Sequence, residues 1–197
     1  MDTDIEEGSK SSSLGRRDVS LSIRKVNIMA IPMALLPLLA VGIPFLLIWG
    51  GSCLIFGGRE LFHWYVFLPA CVVGVVAHEV IHGLSWAVLG GKPVSSIRFG
   101  VQWKALTPYA HCSEPMPASA YRWGAAMPAI VLGVIPALIG LATGNGGWAI
   151  FGILFLIAAL GDCIVLWKIR DVHANVLVED HPQRAGCYVY DVPVVED

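Results

Sequence analysis

The chain has 197 residues, 56% of them hydrophobic and 14% charged, with a net charge of −2 and a mean hydropathy of +0.68. Soluble domains carry about 25% charged residues, so the composition points to a bilayer, and no nucleic-acid partner is expected. The five cysteines form no CxxC pair and are odd in number, which argues against a disulfide framework or a thiolate zinc cluster.

Residues 1–24 are polar, with Glu6, Glu7 and Ser11-Ser12-Ser13. They read as a disordered tail. They do not read as a secretory signal, because the first apolar run starts late and runs long. No charged residue lies between Val26 and Gly58, and a first membrane span is expected over residues 27–49. Pro32, Pro37 and Pro44 predict kinks in it, which helix neighbours in a membrane absorb. Gly50-Gly51 and Gly57-Gly58 then read as a turn region.

A second span is expected over 64–90, where Glu79 is the only charged residue. Residues 92–121 alternate around Ile97–Val101 and again at Tyr109–Cys112, with Thr107-Pro108 between them. That pattern predicts a β-hairpin. The uncharged run from Trp123 to Gly161 is too long for one span. Thr143-Gly144-Asn145-Gly146-Gly147 divides it, giving spans over 123–142 and 148–167, the second carrying Asp162. Residues 171–197 form a polar tail with a turn at His181-Pro182 and a short β-like stretch at Tyr188-Val189-Tyr190.

The expected fold is an all-α polytopic membrane protein, with four spans in an embedded domain over 25–170 and one small hairpin. Four spans put both ends on one side. That side carries Lys10, Arg16, Arg17, Arg24 and Lys25 before the first span. It carries Lys92, Arg98, Lys104 and Arg122 around the hairpin, and Lys168, Arg170 and Arg184 after the last span. The opposite side carries only Arg59. Positive residues favour the cytoplasm, so both termini and the hairpin are expected there.

His78-Glu79-Val80-Ile81-His82 carries the chemistry. On a helix, residues i and i+4 share a face about 6 Å apart along the axis. Two imidazoles at that spacing can bind one Zn²⁺, with the intervening glutamate as general base toward a water. Ionisable groups at membrane depth are costly and rarely sit there without a role. The competing reading is polar glue between helices. A catalytic zinc keeps three protein ligands and one open position. Asp162 is the best third ligand: it is the only acidic residue of its span, at a depth matching the histidine pair. The plainer reading of Asp162 is a helix-end carboxylate in water. His111 has three readings: a fourth ligand, a transition-state donor, or, most simply, a surface residue of the hairpin. His63 reads as interfacial beside Trp64 and Tyr65, and His173 and His181 as tail residues.

With His78–Gly83, the Pro-Tyr-Ala-His-Cys-Ser-Glu-Pro stretch (Pro108 to Pro115), Gly161-Asp162, and Asp180-His181-Pro182 with Gly186, the chain resembles a membrane family of zincin-type peptidases. The layout is similar to that of the site-2 protease group of intramembrane metalloproteases. The resemblance implies His78, His82 and Asp162 as zinc ligands and Glu79 as the base. It also implies a turn at Pro128 in the third span.

The reading is a zinc-dependent peptidase in or at the membrane, acting on a peptide or membrane-protein substrate. The alternatives are a metal-dependent hydrolase of a non-peptide substrate and a non-catalytic adaptor with a structural metal. A structural metal would take a fourth protein ligand, with Cys163 and His111 the residues to watch. The alternating segment from Ser95 to Cys112 offers a strand edge to clamp an extended substrate. Its rival role is an amphipathic loop anchored in lipid by Phe99 and Trp103.

Overall fold

The computed structural model describes residues 15–103 and 107–190. Lys104, residues 1–14 of the polar tail and residues 191–197 lie outside the described residues.

Ser22 caps the first helix by accepting from the backbone N–H of Lys25. Helix α1 (Ile23–Met33) runs into α2 (Leu35–Leu61). Helix α3 is Trp64–Leu89. Helix α4 (Ala118–Pro128) continues through a π-helical stretch (Ala129–Val134) into α5 (Ile135–Thr143). Helix α6 (Gly146–Ala158) and α7 (Leu160–Lys168) are joined at a 44° bend. Three helical stretches are long and apolar enough to cross a membrane, and a fourth if the bent pair counts as one span. Their outward faces carry exposed large hydrophobic residues, among them Leu47, Val73 and Val88. In water such surface is unfavourable, and in lipid it is the ordinary exterior.

Several sequence expectations need correcting. Gly50 does interrupt the first helical stretch, with non-helical backbone and a kink where φ is +76°, whereas Gly57-Gly58 stay helical and the stretch runs on to Leu61. Gly57 serves packing instead: a Cβ there would lie 2.3 Å from the backbone nitrogen of Gly147. Pro128 makes no turn, and lies in a continuous helix just before the π stretch. The third helical stretch starts at Ala118, five residues earlier than expected, and the fourth is bent.

The all-α expectation is also incomplete, since two small antiparallel sheets are present. In the hairpin, β2 (Ile97–Gln102) pairs with β3 (Thr107–Cys112), with Phe99 opposite Ala110. Thr107-Pro108 belongs to β3 and not to the turn. The second sheet joins β1 (Arg16–Asp18), β4 (Met116–Pro117), β5 (Leu177–Asp180) and β6 (Cys187–Tyr190) in the order β1-β6-β5-β4. Parts of both polar tails are therefore ordered. Residues 16–18 pair with 188–190, and Val178, Cys187 and Val189 bury their side chains against Met116, Tyr121 and Ile169. The Arg16 guanidinium lies over the Tyr188 ring at 3.5 Å.

The sheets gather at one end of the helices, at the start of α1, the end of α3, the start of α4 and just beyond α7. The Leu61–Trp64 and Thr143–Gly146 connections fall at the other end, where Gly144 meets Trp49 and Gly146 meets Cys53 and Leu54. Both described ends of the chain thus lie on the hairpin side.

Candidate metal centre

His78 and His82 lie one turn apart on the buried face of α3. Asp162 lies in the first turn of α7, just past the bend. The bend turns this short helix toward α4 and α1, and Asp162 meets the histidine pair. His78 Nε2 stands 3.2 Å from Asp162 Oδ2, His82 Nε2 3.2 Å from His78 Nε2, and His82 Nε2 3.5 Å from Asp162 Oδ1. The His78 and His82 side chains are 11% and 7% exposed, and that of Asp162 27%.

These separations suit one small cation. Nitrogen and oxygen ligands bind Zn²⁺ at about 2.0–2.2 Å in a tetrahedron, whose edges are then about 3.3–3.6 Å. Two imidazoles and a carboxylate are also a catalytic zinc donor set. Among the described residues, this is the single group of three or more His, Cys, Asp or Glu side chains spaced to hold a metal. Cys163 is not part of it, and His111 is engaged elsewhere.

The surroundings fix the rings. A carbonyl can only accept, so the His82 Nδ1–H donates to Gly124 O, at 3.0 Å, and Nε2 is turned toward Asp162. A ligating histidine is commonly held this way through its other nitrogen. The bond requires α4 to approach α3 closely, and Gly124 permits it: a Cβ there would stand 2.1 Å from Trp86 Cδ1. Trp86 stacks on His82 at 5.4 Å and on Tyr121 at 5.6 Å, and its Nε1–H donates to Tyr121 O at 3.3 Å.

Glu79 is half-buried and opens onto the same cavity as the three residues. Its carboxylate accepts from the backbone N–H of Ala110 on β3. Gly83 lets the hairpin sit there, since a Cβ would fall 2.6 Å from the Phe99 ring and 2.7 Å from Ile97 Cγ2. Backbone groups alternate along an antiparallel strand. With Ala110 turned to Glu79, the site-facing edge is β3, and Phe99 and Val101 on β2 direct theirs to the far edge.

The cavity is about 1000 Å³. Its walls come from α1 (Asn27, Ala30), the hairpin (Gln102, Tyr109), the helices that carry the three ligand-type residues, and the turn from Asp180 to Gly186. His111 also lines it. His111 is no surface residue: its side chain is 14% exposed, and Nδ1 lies 2.9 Å from Asp180 Oδ2. Asp180 in turn accepts from the Tyr121 hydroxyl at 2.9 Å. Burial pushes the Asp180 carboxyl above its ordinary pKa, against the opposing pull of His111 and Tyr121. Asp180, Tyr121, Trp86 and Gly124 have no site role in the sequence reading. Asp180 stood in a recognisable stretch, but nothing local says that it reaches His111 across 69 positions.

The family described as "Putative zincin peptidase" matches residues 71–177, more than half of the chain, and the protein belongs to that family. No curated protein and no solved structure matches the chain.

Proposed function

We propose that this member of the zincin peptidase family hydrolyses peptide bonds in or at the membrane, using Zn²⁺ held by His78, His82 and Asp162. The observation that carries the reading is the convergence of those three side chains, from helices 80 positions apart, beside a glutamate in one cavity. Bound there, Zn²⁺ would act as a Lewis acid and make a water more acidic.

The chain's own residues supply the rest. Glu79 takes a proton from the attacking water and returns it to the leaving amine. The Ala110 N–H orients the Glu79 carboxylate. Trp86 and the apolar helix faces keep bulk water from the buried side of the centre. The β3 edge turned to the cavity offers the outward carbonyls of Pro108 and Ala110, which support contact with an extended substrate backbone. This revises the clamp expectation, which did not distinguish the two edges. Phe99 and Trp103 are 52% and 78% exposed, which suits lipid contact by β2 at the same time. Lys92, Arg98, Arg122, Lys168, Arg170 and Arg184 at this end favour a cytoplasmic location for the hairpin side.

A structural metal is the rival. It would recruit a fourth protein ligand, whereas the group here has three members and His111 Nδ1 is held by Asp180.

Glu79→Gln tests the reading in detergent-purified protein loaded with zinc and offered a mixed fluorogenic peptide library. Zinc should stay bound, and hydrolysis should fall by about 10²–10⁴-fold. Equal turnover by wild type and variant would defeat it.

A further inference from the structure

We propose that the end of the molecule away from the hairpin holds a bilayer lipid, a phospholipid with a primary-ammonium headgroup. Its acyl chains lie in a groove between α2 and α3, and Arg59 and Glu60 hold its headgroup. The inference is independent of the peptidase reading.

The groove has a volume of about 860 Å³. Each wall is a stripe of one helix. Cys53, Phe56 and Glu60 line it from α2, Val66 and Ala70 from α3, and Trp148 and Phe151 from α6. Their three- and four-residue spacings each mark a single helix face. Gly57 lets α2 press against the start of α6, where a Cβ would meet Gly146 and Gly147. On α3, one turn past Ala70, a Cβ on Gly74 would strike the Phe155 ring. That contact closes the inner end of the groove. Between the two glycine contacts, α3 stands off from the α2–α6 pair.

Depth selects the occupant. From Ser52 to Glu60 the α2 wall rises about 12 Å, at 1.5 Å per residue. A transmembrane helix crosses about 30 Å of hydrocarbon, so a substrate helix or a helix of a second copy would run into the closed end. One leaflet is about 15 Å deep, half of that core, and an acyl chain entering from the membrane surface matches the groove.

The mouth selects the headgroup. Glu60 lines the groove and Arg59 directly precedes it. Both are exposed, and neither has an ion-pair partner among the described residues. Trp64 and Tyr65 are exposed at the same end, and these residue types favour the headgroup level. A guanidinium suits a phosphate through charge-assisted hydrogen bonds, and a carboxylate suits an ammonium N–H. A quaternary ammonium has no N–H to give, and a purely anionic headgroup would leave Glu60 facing like charge. The bound lipid would brace α2 against α3, the helix that carries His78 and His82.

The full chain is reconstituted in nanodiscs of equal phosphatidylethanolamine and phosphatidylcholine, released, and weighed with its retained lipids by native mass spectrometry. A phosphatidylethanolamine carrying a photoreactive acyl chain then maps the contacts. Wild type should retain phosphatidylethanolamine over phosphatidylcholine by about two- to fivefold, the worth of one exposed charge pair. Glu60→Gln should retain the two alike, and Arg59→Gln should retain less of both. Cross-links should fall on Phe56, Val66 and Phe151, and Ala70→Trp, which fills the groove, should lose them. The two headgroup variants lie at exposed positions and test the proposal even if the filled groove unfolds the protein. Equal retention of the two lipids by wild type overturns the inference. So do cross-links spread evenly over the outward helix faces, as for bulk lipid, and a doubled mass with the groove cross-linked to a second copy.

Discussion

His82 and Gly124 are joined by a hydrogen bond from the imidazole Nδ1–H to the glycine carbonyl, 3.0 Å long, and the ring's other nitrogen faces Asp162 because of it. One peptide group of α4 thereby keeps a proton on Nδ1 and sets the aim of a side chain on α3. In Gly124→Ala the new Cβ would overlap Trp86, so the helices must separate and the bond must lengthen. Loss of such an outer partner costs about 10–100-fold in metal affinity. Competition with a zinc-binding dye should show a loss of at least about tenfold, and unchanged affinity would mean that Gly124 does not orient His82.

Asp162→Ala should release zinc as fully as His78→Ala or His82→Ala, because the carboxylate spans both imidazoles. Asp162→Asn keeps the shape and loses the charge, and should bind zinc more weakly than wild type. Metal content after dialysis against a mild chelator is the measurement. A full equivalent retained by Asp162→Ala would remove Asp162 from the ligand set.

Ala110→Pro removes the N–H that orients Glu79 and leaves the three ligand-type residues alone. Its N–H serves Glu79 and not the β2–β3 ladder, so proline there costs the ladder no bond. The variant should keep zinc and lose most hydrolysis. Proline at Phe99, whose N–H points to the far edge, should leave hydrolysis much less affected. Equal effects at the two positions would argue against a directional edge.

The two ends of the chain should report the same side of the membrane, and the Phe62-His63 connection the other. Fusing an alkaline phosphatase or a fluorescent protein at each end, and introducing a cysteine at His63 in a cysteine-free background, would measure this. Accessibility of an end from outside intact cells would overturn the four-span topology.

Cys187 predicts an alkaline limb. Burial, with Asp180 nearby, pushes its thiol from an ordinary 9.0 up to about 12. The native state therefore holds a proton that the unfolded chain releases. The stabilisation is complete below pH about 9 and is lost as pH rises toward about 12, at up to about 1.4 kcal/mol per unit. Melting in detergent between pH 8 and 11.5 should fall more steeply for wild type than for Cys187→Ala, and parallel slopes would refute the assignment.

Much of the helical frame was legible because lipid imposes long apolar runs, and the i, i+4 spacing of His78 and His82 puts them on one face of any helix. Asp162 could be paired with them only by depth, and the bend at Ala159 that delivers it has no proline or charge to announce it. Gly57 and Gly58 misled, since a glycine that breaks a helix and one that lets two helices touch look alike in a sequence. Of the four-stranded sheet only β6 showed, as the β-like stretch at Tyr188-Val189-Tyr190. The other strands have two to four residues and come from separate parts of the chain, too short to show a two-residue period. The bond between His111 and Asp180 was invisible with it.

That sheet also dictates when the protein can become competent. Its inner strands, β5 and β6, are the last elements described, and they close against residues 16–18 from near the beginning. The helices can insert, and His78, His82 and Asp162 can meet, while the ribosome still holds the residues that wall the cavity. Until the segment through Tyr190 emerges, Asp180 is not there to restrain His111 and the turn from Asp180 to Gly186 is not there to bound the space. A nascent chain would thus bring the three ligand-type side chains together before the wall of the cavity is in place.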